Sequence, residues 1–286
     1  MHSIRQSWII CRDSLYRTGC NCKLYVALFL MMVLFYQFIA PVREFSETVG
    51  IKVNGWLYPF LTMDKFIQVA IIVAIAFVLS DNPFDDGVNE WLILRTGRKN
   101  WIVGKISYTF MVSLLMSIIC FLMSALMLIP QLQFENKWGK ILGTLAQTNA
   151  SAIVGTLQPD YQLQVSLNPI VACLYSVLMT FAVMFLTGML ILLFNMMFEK
   201  AIGQLIGFGI AFLAMFAPNF SNLFAAYYFS PASWLNISFI TNRELTKYPT
   251  ASYIAIFLLS AITVTIVCSV LVAINSNKVI KKNPRV

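Results

Sequence analysis

Residues 169–198 read PIVACLYSVLMTFAVMFLTGMLILLFNMMF, a run without a single Asp, Glu, Lys, Arg or His. A helix that crosses a bilayer needs about 20 apolar residues, and this stretch exceeds that. Five further apolar runs flank it. The first covers Leu24–Ala40. The next ends at Ser80 and begins between Trp56 and Phe66. The third covers Ile106–Ile129 and is closed by Pro130. After the break Glu199-Lys200 comes Ala201–Ala217, closed by Pro218, and the last run is Tyr253–Ile274. The pattern predicts an all-α, polytopic integral membrane protein of six transmembrane helices, a single transmembrane domain over residues 1–286.

Composition points the same way. Hydrophobic residues make up 59% of the chain, charged residues only 11%, and mean hydropathy is +0.77. Soluble domains carry about 25% charged residues, so this chain could not cover itself with polar surface in water. The net charge of +8 lies at the ends of the apolar runs, which is the membrane pattern and not a nucleic-acid face. Lipid, not nucleic acid, is the expected surrounding. Of six cysteines, Cys11, Cys20 and Cys22 lie in the N-terminal segment and Cys120, Cys173 and Cys268 in apolar runs. There is no Cys-x-x-Cys pair and one histidine, His2. That argues against both a disulfide framework and a metal site.

Residues 1–23 carry Arg5, Arg12, Arg17 and Lys23, and Ile4, Trp8, Cys11 and Leu15 recur at helical spacing. This predicts an amphipathic helix on the inner membrane face, followed by an uncleaved first span. With the N-terminus inside, the inner segments (1–23, 81–105, 199–200 and 275–286) hold thirteen of the 20 Lys and Arg residues, while acidic residues divide evenly. By the positive-inside rule both termini are cytoplasmic and the expected location is the cell membrane. Segments 131–168 and 218–252 are then extracytosolic. In the first, Trp138, Ile141, Leu142 and Leu145 suggest an interfacial helix. In the second, Trp234, Leu235 and their apolar neighbours form pieces too short to span, which predicts a re-entrant hairpin before the last helix.

The inner loop 81–105 is the richest in chemistry. From Ser80 it reads SDNPFDDGVNEWLILRTGRKNWIVGK. Asp85 and Asp86 sit where a helix dipole favours acids, with Glu90 further along. Trp91 to Leu94 form an apolar stretch, Arg95, Arg98 and Lys99 close it, and Gly97 is placed as a C-cap. The result is a short capped helix between two spans, with the aromatic and arginine content of a protein-docking surface. An interfacial loop whose arginines meet lipid phosphates reads equally well.

This segment resembles the coupling helix of type-II ABC exporter permeases, on Asp85/Asp86, Trp91-Leu92-Ile93-Leu94, Arg95 and Gly97-Arg98-Lys99-Asn100-Trp101. The N-terminal helix, six spans and Ser230-Pro-Ala-Ser-Trp234 before the last span agree in layout, although segment 131–168 is longer than that family usually carries. The resemblance implies a permease subunit that works with a second copy or a related chain. Separate ABC ATPase subunits, carrying ATP and Mg, would bind Asp85, Asp86, Glu90, Trp91, Leu94, Arg95 and Arg98. The chain has no Gly-x-x-x-x-Gly-Lys-Ser/Thr loop, so it binds no nucleotide in that way, and no cofactor or catalytic residue is expected.

The predicted spans, the second apart, contain no Asp, Glu, Lys, Arg or His. Secondary transporters usually need such groups to couple ions, so energy is expected to enter mechanically. An intramembrane enzyme would need a buried nucleophile and base or a metal cluster, which the sequence lacks. A non-transporting immunity or sensor protein of the same layout is the other alternative. Asp64 and Lys65, near the outer end of the second span, are a candidate outer gate or a snorkelling pair. Gly203 and Gly207 form a small-xxx-small pattern that permits close helix contact. Substrates of amphipathic or hydrophobic character (peptides, lipids, antimicrobial compounds) suit a path with so few charges.

Overall fold

The computed structural model describes residues 2–84, 89–198, 200–217, 225–241 and 248–275. Within them the chain is almost wholly helical. In order, α1 is His2–Cys20, α2 Cys22–Val49, α3 Tyr58–Leu61, α4 Lys65–Val78, α5 Asn89–Thr96, α6 Arg98–Leu126 and α7 Lys140–Gln147. Then follow α8 Ala150–Val154, α9 Tyr161–Ser166, α10 Pro169–Met197, α11 Lys200–Phe216, α12 Ala225–Tyr228, α13 Ser238–Thr241 and α14 Ala251–Asn275. Two short strands, β1 (Val53–Asn54) and β2 (Leu132–Gln133), pair in parallel, Val53 opposite Leu132.

Four helices are long and apolar enough to cross a membrane: α2, α6, α10 and α14. The chain is an all-α membrane protein. Its centre is α10, which packs on α4, α6, α11 and α14. In its apolar window 67% of residues are buried, against 22% for α14. The difference sorts the helices into inside and outside. Leu259, Val264, Val267 and Leu271 on α14 point away from the protein, which costs little when the surroundings are lipid.

Helix boundaries depart from the sequence expectation at two places. The first span does not stop at Ala40: α2 continues through Pro41 to Val49 and ends on Gly50 (φ 71°), whose N–H donates to the carbonyls of Ser46 and Glu47. Similarly, α6 starts at Arg98, eight residues before the predicted edge. The apolar window misses that start because its first two turns carry Arg98, Lys99 and Lys105.

Two apolar helices are short. At about 1.5 Å per residue, α4 spans roughly 21 Å and α11 roughly 25 Å, against a hydrocarbon core of about 30 Å. A turn of helix, α3, precedes α4, and all four of its residues are buried. At the break, Gln68 Nε2 donates to the carbonyl oxygens of Thr62 (2.9 Å) and Met63 (3.3 Å). A broken helix is sustainable at membrane depth only when its freed carbonyls find partners inside the protein.

The segment between α6 and α10 folds over the bundle end where β1 lies. Asn54 Nδ2 donates to Lys137 O (2.6 Å), Trp138 Nε1 to Leu167 O (3.0 Å) and Gln164 Nε2 to Leu142 O (3.0 Å). Ile141, Leu142 and Leu145 of α7 are buried in the main core. The apolar stripe expected to lie on the membrane surface therefore packs against protein. Beyond α11, a 3-10 turn at Pro231–Leu235 packs on α4, α10 and α11, with Ala232, Trp234 and Leu235 buried. Trp234 Nε1 donates to Tyr227 O (2.8 Å).

Candidate functional site

The end of the bundle opposite that cap carries α5. Gly97 ends this helix: its φ of 81° is open to glycine and strained for other residues, and its N–H donates to Ile93 O (2.9 Å). The same glycine begins α6, since Trp101 N–H donates to Gly97 O (3.1 Å). One residue thus turns the chain from α5 into the third long apolar region.

Ile93, with partly buried Leu92 beside it, anchors the inner face of α5. Ile93 is buried and packs with Ile10, Trp101, Ile102, Leu192, Met196 and Ala273, which belong to α1, α6, α10 and α14. Around it, Asn100 Nδ2 donates to Thr96 O (2.9 Å) and to Gln6 Oε1 (2.8 Å). Arg98 donates from Nη1 to Ile274 O (2.8 Å) at the end of α14, where a cation also meets the negative end of the helix dipole. The outer face is different. Trp91 is 74% exposed and Leu94 71%, and Arg95 is exposed beside them. Positions i, i+3 and i+4 share one helix face, so the three form one surface.

Of the residues singled out in this loop, α5 brings together Trp91, Leu94 and Arg95, while Arg98 turns away to cap α14. Glu90 lies in α5, but its side chain is outside the described residues, as are Asp85 and Asp86.

The start of the connection from α4 to α5 is clamped. Asn195, fully buried near the end of α10, donates from Nδ2 to the carbonyl oxygens of Ser80 (3.1 Å) and Asn82 (2.7 Å), and its Oδ1 accepts from Gly203 N–H (3.1 Å). Asn82 Nδ2 donates to Thr109 Oγ1 on α6 (2.9 Å). Lys23, at the start of α2, donates to Ser80 Oγ (2.7 Å) and pairs with Asp81. One short turn is therefore held by α2, α6 and α10, and through Asn195 by α11.

Gly203 takes its meaning from this clamp. A Cβ there would lie 2.2 Å from Asn195 Oδ1, and one at Gly207 would lie 2.7 Å from Ala76 Cβ on α4. Both glycines are sites of close approach within the chain. Asp64 is the N-cap of α4, its Oδ1 accepting from Phe66 N–H (2.8 Å) and Ile67 N–H (3.2 Å). Lys65 lies over the Phe66 ring.

Along α6 runs α1. Ser7 Oγ donates to Asn100 O (3.0 Å), Ile10 sits where a Cβ on Gly104 would fall, Lys105 Nζ donates to Ser14 Oγ (3.1 Å), and the Thr18 and Tyr108 hydroxyls are 2.6 Å apart. The pairs advance together, so α1 lies alongside the first turns of α6. The buried face of α1 carries Ser7, Ile10, Cys11 and Ser14. The predicted apolar stripe is thereby divided: Cys11 is buried against the bundle, whereas Trp8 is exposed. The serines turn inward because each meets a polar group of α6. Burial pushes the Cys11 thiol above its usual pKa, with the Lys105 charge partly opposing. Lys105 itself is 1% exposed, an ammonium group inside the α1–α6 seam that sequence reading placed at the edge of a span.

Asn195 was also missed. The signal for it was present: a lone amide near the end of thirty apolar residues is a group that must find partners inside the bundle. Two of its partners, Ser80 O and Asn82 O, lie more than a hundred residues away in sequence and gave no signal. Comparison with known protein families and with curated proteins finds no match for this chain. Among the described residues no group of His, Cys, Asp and Glu is arranged to hold a metal ion.

Proposed function

We propose that the chain is the membrane-spanning permease subunit of an ATP-driven exporter, driven through α5 by a separate ABC ATPase. The observation that carries this reading is the division of α5. Its inner face is pinned by Ile93 among four helices, while its outer face offers Trp91, Leu94 and Arg95 to something outside the chain. Aromatic and arginine side chains dominate the energetics of protein interfaces, and a helix held on one side and bare on the other is suited to receive force.

The clamp supports the same reading. A displacement of α5 pulls on the turn at Ser80–Asn82, and Asn195, Thr109 and Lys23 carry that pull into α10, α11, α6 and α2. In this proposal the protein has six crossings, the four long helices plus α4, extended by α3, and α11. The turn at Pro231–Leu235 belongs to a re-entrant hairpin, both termini are cytosolic, and the path is shared with a second copy or a related chain. The cargo is amphipathic or hydrophobic.

The test is purification of the full chain in mild detergent from its native membrane. An ABC ATPase should accompany the wild type and be lost from Trp91→Ala/Arg95→Ala, which should insert and fold normally. Recovery of the same ATPase with both proteins would refute the role of α5, and its absence from the wild type would favour the sensor or immunity alternative.

A further inference from the structure

The outward face of α1 is built differently from the face it turns to α6. Arg5, Trp8, Ile9, Arg12 and Tyr16 are all exposed. At 3.6 residues per turn they fall on one side of the helix, opposite Ser7, Ile10, Cys11 and Ser14. The acidic residue of α1, Asp13, lies at the edge of this face and is engaged by Arg17 Nε (3.0 Å). Among the described residues neither Arg5 nor Arg12 has an ion-pair partner. The face is therefore cationic, aromatic and uncompensated.

Its position limits what can cover it. After α1 only Asn21 intervenes before α2, one of the four membrane-length helices, begins at Cys22. Tyr25, in the first turn of α2, donates back to Gly19 O (2.8 Å), so the junction is closed and α1 stays near the membrane boundary. Tryptophan and tyrosine favour that boundary, where the ring is shielded and the polar tip is wet. Arginine presents a fork of donors matched to phosphate oxygens.

We infer that the Arg5–Trp8–Arg12–Tyr16 face of α1 is a docking surface for anionic phospholipid headgroups. The two guanidinium groups engage the phosphates, and Trp8 and Ile9 enter the headgroup–acyl boundary. The inference stands apart from the transport reading, because it needs no ATPase and no cargo.

The test is binding of a fluorescent short-chain phosphatidylglycerol, with phosphatidylcholine as the neutral control, to the full detergent-solubilised chain. A basic residue near an anionic surface contributes about five-fold in affinity, so Arg5→Gln/Arg12→Gln should weaken phosphatidylglycerol binding about 25-fold. Phosphatidylcholine binding should stay the same, and Arg5→Lys/Arg12→Lys should restore most of the loss. Trp8→Ala should weaken both lipids while preserving the preference between them. Equal phosphatidylglycerol affinity in the wild type and the glutamine variant would overturn the inference. So would competition by inorganic phosphate at matched concentration, which would make the site one for free phosphate. Loss of an acidic polypeptide from the glutamine variant, with its lipid binding unchanged, would overturn it in favour of a protein partner.

Discussion

Helices α5 and α7 have the same length, eight residues each, and both connect elements at an end of the bundle. They use their apolar residues in opposite ways. Ile141, Leu142 and Leu145 of α7 are almost inaccessible, whereas α5 buries Ile93 and leaves Trp91 and Leu94 bare. The contrast shows that the bareness of α5 is not a consequence of being short or peripheral. Where this protein has apolar surface to hide at a bundle end, it builds β1, β2, α8 and α9 around it. At α5, Trp91 and Leu94 stay uncovered, and an outside partner is the physical reason we assign.

The comparison can be broken most severely at the clamp that holds the approach to α5. Asn195→Leu removes the partners of Ser80 O, Asn82 O and Gly203 N–H, and each buried group left unmade costs about 1–3 kcal/mol. We expect the folded yield and the thermal midpoint to fall sharply. A variant that melts like the wild type would show that the clamp holds nothing.

Next, the two helices can be set against each other directly. Leu142→Ala should destabilise by about 2–5 kcal/mol, because it opens a hole in a packed core. Leu94→Ala should stay within about 0.5 kcal/mol, as exposed substitutions do. Thermal melts of the two variants side by side decide it, and equal losses would erase the distinction between the helices. Within α5 alone, Ile93→Ala should melt lower than Trp91→Ala, by about 2 kcal/mol or more. The reverse order would mean that the helix is held by the face described here as free.

The smallest effect concerns labelling of the same end of the bundle. Cys20 and Cys22 are exposed and Cys11 is buried, with its thiol less ready to ionise. A polar maleimide should therefore modify Cys20 and Cys22 well before Cys11. Applied to sealed, right-side-out membranes, it should reach none of the three if the α5 end is cytosolic. Rapid modification from outside would reverse the orientation and remove α5 from reach of any cytosolic ATPase.

Much of the fold was legible in the sequence. The apolar runs located α2, α4, α6, α10, α11 and α14, because a long uncharged stretch suits a bilayer when its backbone groups pair within the segment, as they do in a helix. Gly97 was legible as the end of α5, since its position after an apolar stretch and an arginine is where a left-handed residue is needed. The continuation of α2 past Pro41 and the early start of α6 were not legible. Both lie where hydropathy drops while the backbone hydrogen-bond ladder goes on.

By itself the sequence determined that this chain belongs in a membrane, that it is helical, and that a short charged, aromatic helix lies between its second and third apolar runs. Those properties depend on composition and local order, which every residue carries with it. Tertiary structure alone decided that α7 is covered and α5 is bare, that Lys105 is buried against Ser14, and that Asn195 ties the turn at Ser80–Asn82 to Gly203. Each of these is a contact between distant parts of the chain. An amide or an ammonium buried among helices is defined by the groups that meet it, and those are set by packing, not by its neighbours in sequence.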